Sequence, residues 1–428
     1  MGKGLIVATA EMGLGHLRAA QPFSAAVGSS VVIMGKNDES THAEKKLWQR
    51  MLNGYERVSR YKSIPVLGPI VFAGMNALLS IPKRETVLRD CSRPTIPLKM
   101  VERAIKNGLC SGIIGVVQRD EQPVLATFYA PALALSQQTD VPVFCQICDS
   151  DLSRAWVPSN PTQNNLYYFA PCERAQQRLV SYGVNPTSIF LTGFPFPHQL
   201  VGGYHEPLAR KNWAQRYDFL TKAHPKSQSR PFHVVYAVGG AGAYWEIGVQ
   251  IAQSLYHEIT QGNVRLTLIA GTRPDIAAKY MSVKRSLMVS NEGIDVFYSS
   301  SYNEYFDGFA QIMETADVLW TKPSELSFYS ALGIPIVMAP PLGPQEEANR
   351  EWLLGFGGAT DQRDPSTCNV WLLNQLYSGS LARLAKNGWG LGKRTALYEA
   401  LDIINATANQ SLAIAPTLEP ECMEFTQI

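Results

Sequence analysis

The sequence predicts an α/β protein of two doubly wound domains facing a central cleft. Three observations predict it: a length beyond one hydrophobic core, two series of alternating strand and helix patterns, and a glycine-rich turn after the first strand of each series. At 428 residues, two cores are the natural expectation. A hydrophobic share of 46% with 17% charged residues fits a globular chain, and 33 glycines with 27 prolines imply many sharp loops. Alternation of strand and helix implies parallel strands joined by crossover helices.

In the first series, strand-like runs fall at Leu5–Ala10, Val31–Met34, Gly112–Val117, Val143–Ile147, Leu166–Phe169 and Ile189–Thr192. Helical patterns lie between them at Leu17–Val27, Ala43–Tyr61, Pro97–Lys106, Pro131–Gln138 and Glu173–Tyr182. From Phe194 to Phe232 the pattern breaks into prolines, a mixed-charge helix around Glu206–Lys222 and the polar run His224–Pro231. The second series opens at His233–Ala237 and continues with a helix Ala243–Thr260, a strand Arg265–Ala270 and a helix over 274–287. A strand Asp295–Tyr298 and a helix Tyr305–Thr315 follow, then the segment Ala316–Trp352 and a last helix at Lys393–Asn409. The expected division is a domain over 1–198, a linker over 199–231, a second domain over 232–392, and a terminal helix and tail over 393–428 that packs back on the first domain.

The net charge of +2 conceals an asymmetry. Residues 45–106 hold 13 Lys/Arg and 4 Asp/Glu, a local balance of +9, so the remainder carries −7. Within that basic region Ser63–Pro82 has no charge and is flanked by Lys62 and Lys83-Arg84. Pro65, Gly68, Pro69 and Gly74 argue against a spanning helix there. Two readings stand: an ordinary buried loop and helix, or an interfacial segment whose basic rim draws anionic lipid headgroups. No leading stretch has the pattern of a signal peptide, and seven cysteines, an odd number scattered through apolar runs, fit reduced thiols in a cytosolic protein. Cys145-Gln146-Ile147-Cys148 has CxxC spacing but no second pair, so core packing outweighs metal or redox work.

The chemistry concentrates in a few places. The first glycine turn carries Gly13 and Gly15 and leads into His16, and the second carries Gly239, Gly240 and Gly242. Glycines at such a turn allow positive φ and let an anionic ligand reach the backbone N–H groups of a helix start. The dinucleotide fingerprint fits poorly, since Trp245 occupies the third glycine position. His16 has two roles open to it: an imidazole that takes a proton from an acceptor hydroxyl, or a side chain that bonds its own loop. Asp149, with Asp151, follows a strand at its carboxyl end, either facing a ligand or forming a turn. In Thr321–Trp352, Ser324 is placed to cap a helix, and Glu325 either holds ribose hydroxyls or favours the helix dipole. Gln345, Glu346 and Asn349 offer a polar fork for sugar hydroxyls, or simply begin the next helix.

With these residues laid out, the chain resembles the two-domain glycosyltransferases of GT-B architecture, with two Rossmann-like domains. Within them it is most similar to the monogalactosyldiacylglycerol synthase group and the N-acetylglucosaminyltransferase of peptidoglycan synthesis. The likeness is carried by Gly13–Ala20, Val141–Trp156, Tyr167–Pro171 with Gly183-Val184 and Leu191–Pro195, Val238–Gly242, Thr321-Lys322-Pro323 with Gly333-Ile334-Pro335, and Gly343–Asn349. It departs at Phe328, where the group has a ribose-binding glutamate, and at Ser153, where it often has a histidine.

The resemblance implies an inverting transfer of a sugar from a UDP-sugar to a hydroxyl acceptor, lipid-linked if residues 45–106 meet an anionic membrane surface. His16 is then the base and Asp149 a second base or its orienting partner. Gly13, Gly15, Gly239, Gly240, Gly242, Ser324, Glu325, Gln345, Glu346 and Asn349 hold the donor. It implies no metal and no cofactor besides the donor, a nucleotide sugar and no nucleic acid as partner, and a cytoplasmic place peripheral to the inner face of the membrane. Two alternatives share the architecture: a sugar-nucleotide 2-epimerase, and a nucleotide-sugar-binding protein without turnover.

Overall fold

The computed structural model describes residues 4–50, 81–82, 90–162, 165–225, 228–240, 242–290 and 292–408. Most of the uncharged run Ser63–Pro82, the far part of the helix expected over Ala43–Tyr61 and the tail beyond 408 lie outside them.

Two six-stranded sheets form the frame, and every registered strand pair in them is parallel. The first contains β1 (Ile6–Thr9), β2 (Val31–Ile33), β3 (Val124–Ala126), β4 (Val143–Gln146), β5 (Leu166–Ala170) and β6 (Ile189–Leu191), in the order β2-β1-β3-β4-β5-β6. The second contains β7 (Phe232–Ala237), β8 (Val264–Ile269), β9 (Ile294–Phe297), β10 (Val318–Thr321), β11 (Ile336–Met338) and β12 (Ala359–Asp361), in the order β12-β11-β10-β7-β8-β9. In each sheet the chain starts in the interior and then builds to either side, so β1/β3 and β7/β10 are switch points where crossovers leave for opposite faces. Helices cover both faces, which is why β1, β4, β7 and β10 are buried at every position and are mostly apolar, with one polar residue each.

Helices His198–Val201 and Pro207–Lys222 connect the sheets. Arg216, on the longer one, is buried and donates to the carbonyls of Ala316, Leu332 and Met313, taking up carbonyls left over where two helical segments end. The last helix, Ala396–Ala408, buries Leu397, Ala400 and Ile404 with Leu5, Val7, Phe23, Phe144 and Phe169. This helix therefore packs against the sheet that contains β1. Among the described residues no helix is long and apolar enough to cross a membrane.

Three expectations about elements need correction. Gly112–Val117 is not a strand but part of helix Ser111–Asp120; Ile113, Ile114 and Val117 are its buried face, at helical spacing. The strand that belongs there is the three-residue β3, behind Pro123 and too short to stand out from its surroundings. The helix expected over Ala243–Thr260 is two, Trp245–Ser254 and Tyr256–Thr260, preceded by Tyr244 in the left-handed region at φ 65°. After β10 the chain forms a 3₁₀ segment, Glu325–Leu332, buried at all eight positions. The Ser324 hydroxyl makes no capping bond to it.

Candidate functional site

Both glycine turns leave the carboxyl end of a strand at a switch point, where open α/β sheets hold ligands. Gly13 adopts φ 86° and ψ −174°, a conformation that needs the absent Cβ, and delivers the chain into helix Leu14–Val27. In the second turn Gly242 has φ 77° and Tyr244 completes the turn into helix Trp245–Ser254. The turns meet face to face. A Cβ built on Gly240 would stand 3.1 Å from the Leu14 nitrogen and 3.3 Å from Gly13 Cα. One built on Gly15 would lie 2.8 Å from Glu325 Oε2, and one on Gly239 would fall inside the Lys322 side chain. Two of the five glycines expected here, Gly15 and Gly240, thus allow the halves to approach.

His16 is half-buried in the first turn of its helix, edge-on to Phe128 at 4.9 Å and 6.0 Å from Trp156 between ring centres. Its Nδ1 lies 2.8 Å from the Thr127 carbonyl oxygen, and the Thr127 hydroxyl lies 2.8 Å from the His16 carbonyl. A carbonyl only accepts, so Nδ1 carries the proton and Nε2 keeps its lone pair. Burial lowers the imidazole pKa to about 4, against smaller raising effects of the Thr127 bond and the Glu325 charge. The ring is neutral at physiological pH. Asp149 does not orient it, because Thr127 takes that place; Thr127 is itself fixed by the Thr9 hydroxyl at 2.7 Å.

Asp149 belongs instead to a bridge between the halves. The Asn349 amide donates to Asp149 Oδ1 at 2.8 Å and to the Pro323 carbonyl at 3.2 Å, while its oxygen accepts the Ser150 N–H at 2.7 Å. Asn349 is wholly buried and its amide is consumed, so it clasps the domains rather than offering a fork to sugar hydroxyls. Burial raises the Asp149 carboxyl to about pH 7; the Asn349 bond opposes this, and the charges of Glu325 and Glu346 add to it. Asp151 is buried against Arg178 at 2.7 Å and Arg174 at 3.0 Å, an anchor with no ligand-facing oxygen.

The β10–β11 segment departs furthest from expectation. Glu325 pairs with Arg18 at 3.1 Å and is 8% exposed, so it locks the halves and is not placed for a ribose. Glu346 pairs with Lys322 through one oxygen and accepts the Leu342 N–H at 2.7 Å through the other. Gln345 is half-buried beside it in the first turn of helix Pro344–Gly355. Phe328 stacks on Phe194 at 5.2 Å and 8°, on the wall of a cavity of about 640 Å³ shared with Arg174 and Trp352. It packs the domain interface where the resembling group has a glutamate. Ser153 is buried ahead of the short turn Arg154–Trp156. Cys145 and Cys148 are both buried in the core.

Three residues here were assigned no role at the site from the sequence. Arg18 reaches from the first helix of one half into an aromatic nest of the other, 4.0 Å from the Phe309 ring centre and 3.2 Å from the Tyr305 hydroxyl. Thr127 and Lys322 are the others; Lys322 was visible as the residue after a strand, in line with Asp149. Among the described residues no group of three or more His, Cys, Asp and Glu is placed to hold a metal ion.

No protein-family model matches the chain. A processive diacylglycerol beta-glucosyltransferase of Bacillus pumilus is 21% identical over 222 residues, 51% of this chain and 50% of that protein. The chain thus spans about half the length of the curated relative it matches. A structure from Listeria monocytogenes, provisionally described as a UDP-N-acetylglucosamine 2-epimerase, superposes with a TM-score of 0.52 at 14% identity over 96% of this chain and 98% of that one. MurG of Acinetobacter baumannii superposes at 0.49 with 13% identity, over 94% and 99%. The first superposition, with the two parallel sheets, gives the fold of the chain: two Rossmann-like domains in the GT-B arrangement.

Proposed function

We propose that the chain is an inverting glycosyltransferase that moves a sugar from a uridine diphosphate sugar to a hydroxyl acceptor. The observation that carries this reading is the geometry at the crossing of the two switch points. A neutral His16 with its lone pair on Nε2 stands beside two opposed glycine turns, with Gly13 exposed and Gly239 and Gly240 half-buried. In the transfer the acceptor hydroxyl gives its proton to His16 Nε2 and its oxygen bonds to the anomeric carbon. The bond from that carbon to the diphosphate breaks on the opposite side, and backbone N–H groups at Gly13–Gly15, Gly239 and Gly240 meet the departing charge. A pKa near 4 makes His16 a weak base by itself, and the donor's negative charge strengthens it when bound.

The 2-epimerase alternative calls for several carboxylates around the sugar. Here Glu11 and Glu325 are each paired with a cation, Lys36 and Arg18, which supports transfer to an acceptor instead. A lipid-linked acceptor is supported by helix Ile96–Lys106. Its exposed face sets Ile96 (74% exposed) and Met100 (58%) beside Lys99, Arg103 and Lys106, an arrangement that suits an anionic bilayer surface. The test is diphosphate release from a panel of uridine sugars, with and without lipid extract. Release that requires the extract is expected; an epimerised sugar nucleotide formed with no acceptor would overturn the reading.

A further inference from the structure

We propose that Lys322 is the cation that receives the donor diphosphate, exchanging Glu346 for phosphate oxygens as the donor binds. This rests on the nucleotide-sugar reading of the crevice and adds to it a charged residue and a competing anion.

Lys322 is the first residue beyond β10, and the Thr321 hydroxyl ties that strand end to β7 by a 3.1 Å bond to the Ala237 carbonyl. The ammonium therefore emerges at the switch point of the second sheet. Its aliphatic chain lies in the space that a Cβ on Gly239 would fill, so one glycine of the second turn exists to let this side chain through. Glu346 is held in position independently, since its other oxygen accepts the Leu342 N–H. The two side chains are 20% and 14% exposed, within reach of a ligand and unlike the sealed Asp151–Arg178 pair. The Asn349 amide joins the Asp149 carboxylate of the first domain to the carbonyl of Pro323, the residue after Lys322, which puts the pair beside the junction of the two domains.

A carboxylate brings one charge to Lys322; a diphosphate brings more charge and several oxygens, so it wins the ammonium once seated. During transfer the electron pair of the breaking bond passes to the diphosphate oxygen while the acceptor proton passes to His16. Lys322 meets that growing charge without any rearrangement of its own. Glu346 then acts as a built-in competitor, and removing its charge strengthens donor binding.

The two variants consequently have opposite signs. Calorimetric titration of the full chain with UDP and with uridine reads them. Lys322→Gln is expected to weaken UDP by about tenfold or more while leaving uridine unchanged. Glu346→Gln, whose amide oxygen still accepts from Leu342, is expected to tighten UDP by a few fold. Lys322→Arg should recover most of the UDP affinity, and it carries the test if Lys322→Gln unfolds. UDP affinity within about twofold in Lys322→Gln, or weakened binding in Glu346→Gln, would overturn the exchange while leaving the nucleotide reading intact. Failure of the unaltered protein to bind UDP or uridine would overturn that reading first.

Discussion

His16 owes its protonation pattern to one backbone carbonyl, and Asp149 owes its raised pKa to burial beside two glutamates. His16→Ala is expected to cut transfer by about a hundredfold or more while the donor dissociation constant stays within about twofold. Equal loss of both in steady-state kinetics and titration would make His16 a structural residue. Asp149, raised from 3.8 to about 7, holds its proton in the acidic range and becomes an anion as pH rises through 7. Binding of an anionic donor is accordingly strongest below pH 7 and weakens above it. Titration with a uridine diphosphate sugar at pH 6 and pH 8 checks this, and Asp149→Asn should flatten the dependence. His16 was legible because its spacing from a glycine turn fixes where it stands. Arg18 was not, since its partners Glu325 and Phe309 lie some three hundred positions away and no local pattern links them.

At the scale of elements, the glycine turns and the 3₁₀ segment behind them hold the halves together. Gly240→Ala introduces a Cβ 3.1 Å from the Leu14 nitrogen, and it should cost about 1–3 kcal/mol as an overpacked contact. Arg18→Ala leaves Glu325 buried without its cation and should cost about 3–5 kcal/mol. Urea unfolding of each variant reads these values; losses under half a kilocalorie would mean that the halves separate readily in solution. Long amphipathic helices such as Tyr302–Thr315, capped by Ser301, lie where the apolar spacing puts them. The segment Glu325–Leu332 was misread as a capped helix because it is buried on every side and shows no polar stripe to set its period. Gly112–Val117 failed for the related reason that a short apolar run fits a strand or a buried helix equally.

Across the whole molecule the two domains are clasped at successive points: Tyr302 donates to Glu11 at 2.7 Å, Arg18 pairs with Glu325, and Asn349 bridges Asp149 and Ser150. Tandem sheets and an intervening break were readable from alternation alone, whereas the clasp depends on side chains that only folding brings together. The exposed face of Ile96–Lys106 belongs to this scale too. Vesicles containing anionic lipid should retain the protein at low salt and release it at high salt, and Ile96→Ser with Met100→Ser should weaken retention. Equal retention by neutral vesicles would remove the electrostatic part of that reading.

The opposed turns make one measurement decisive. Hydrogen exchange followed by mass spectrometry, with and without UDP, reports which backbone amides the ligand covers. Simultaneous protection of segments 13–16 and 239–243 is the expected result. Protection of one turn alone, or of the cavity wall around Arg174 and Trp352 with both turns unchanged, would contradict it.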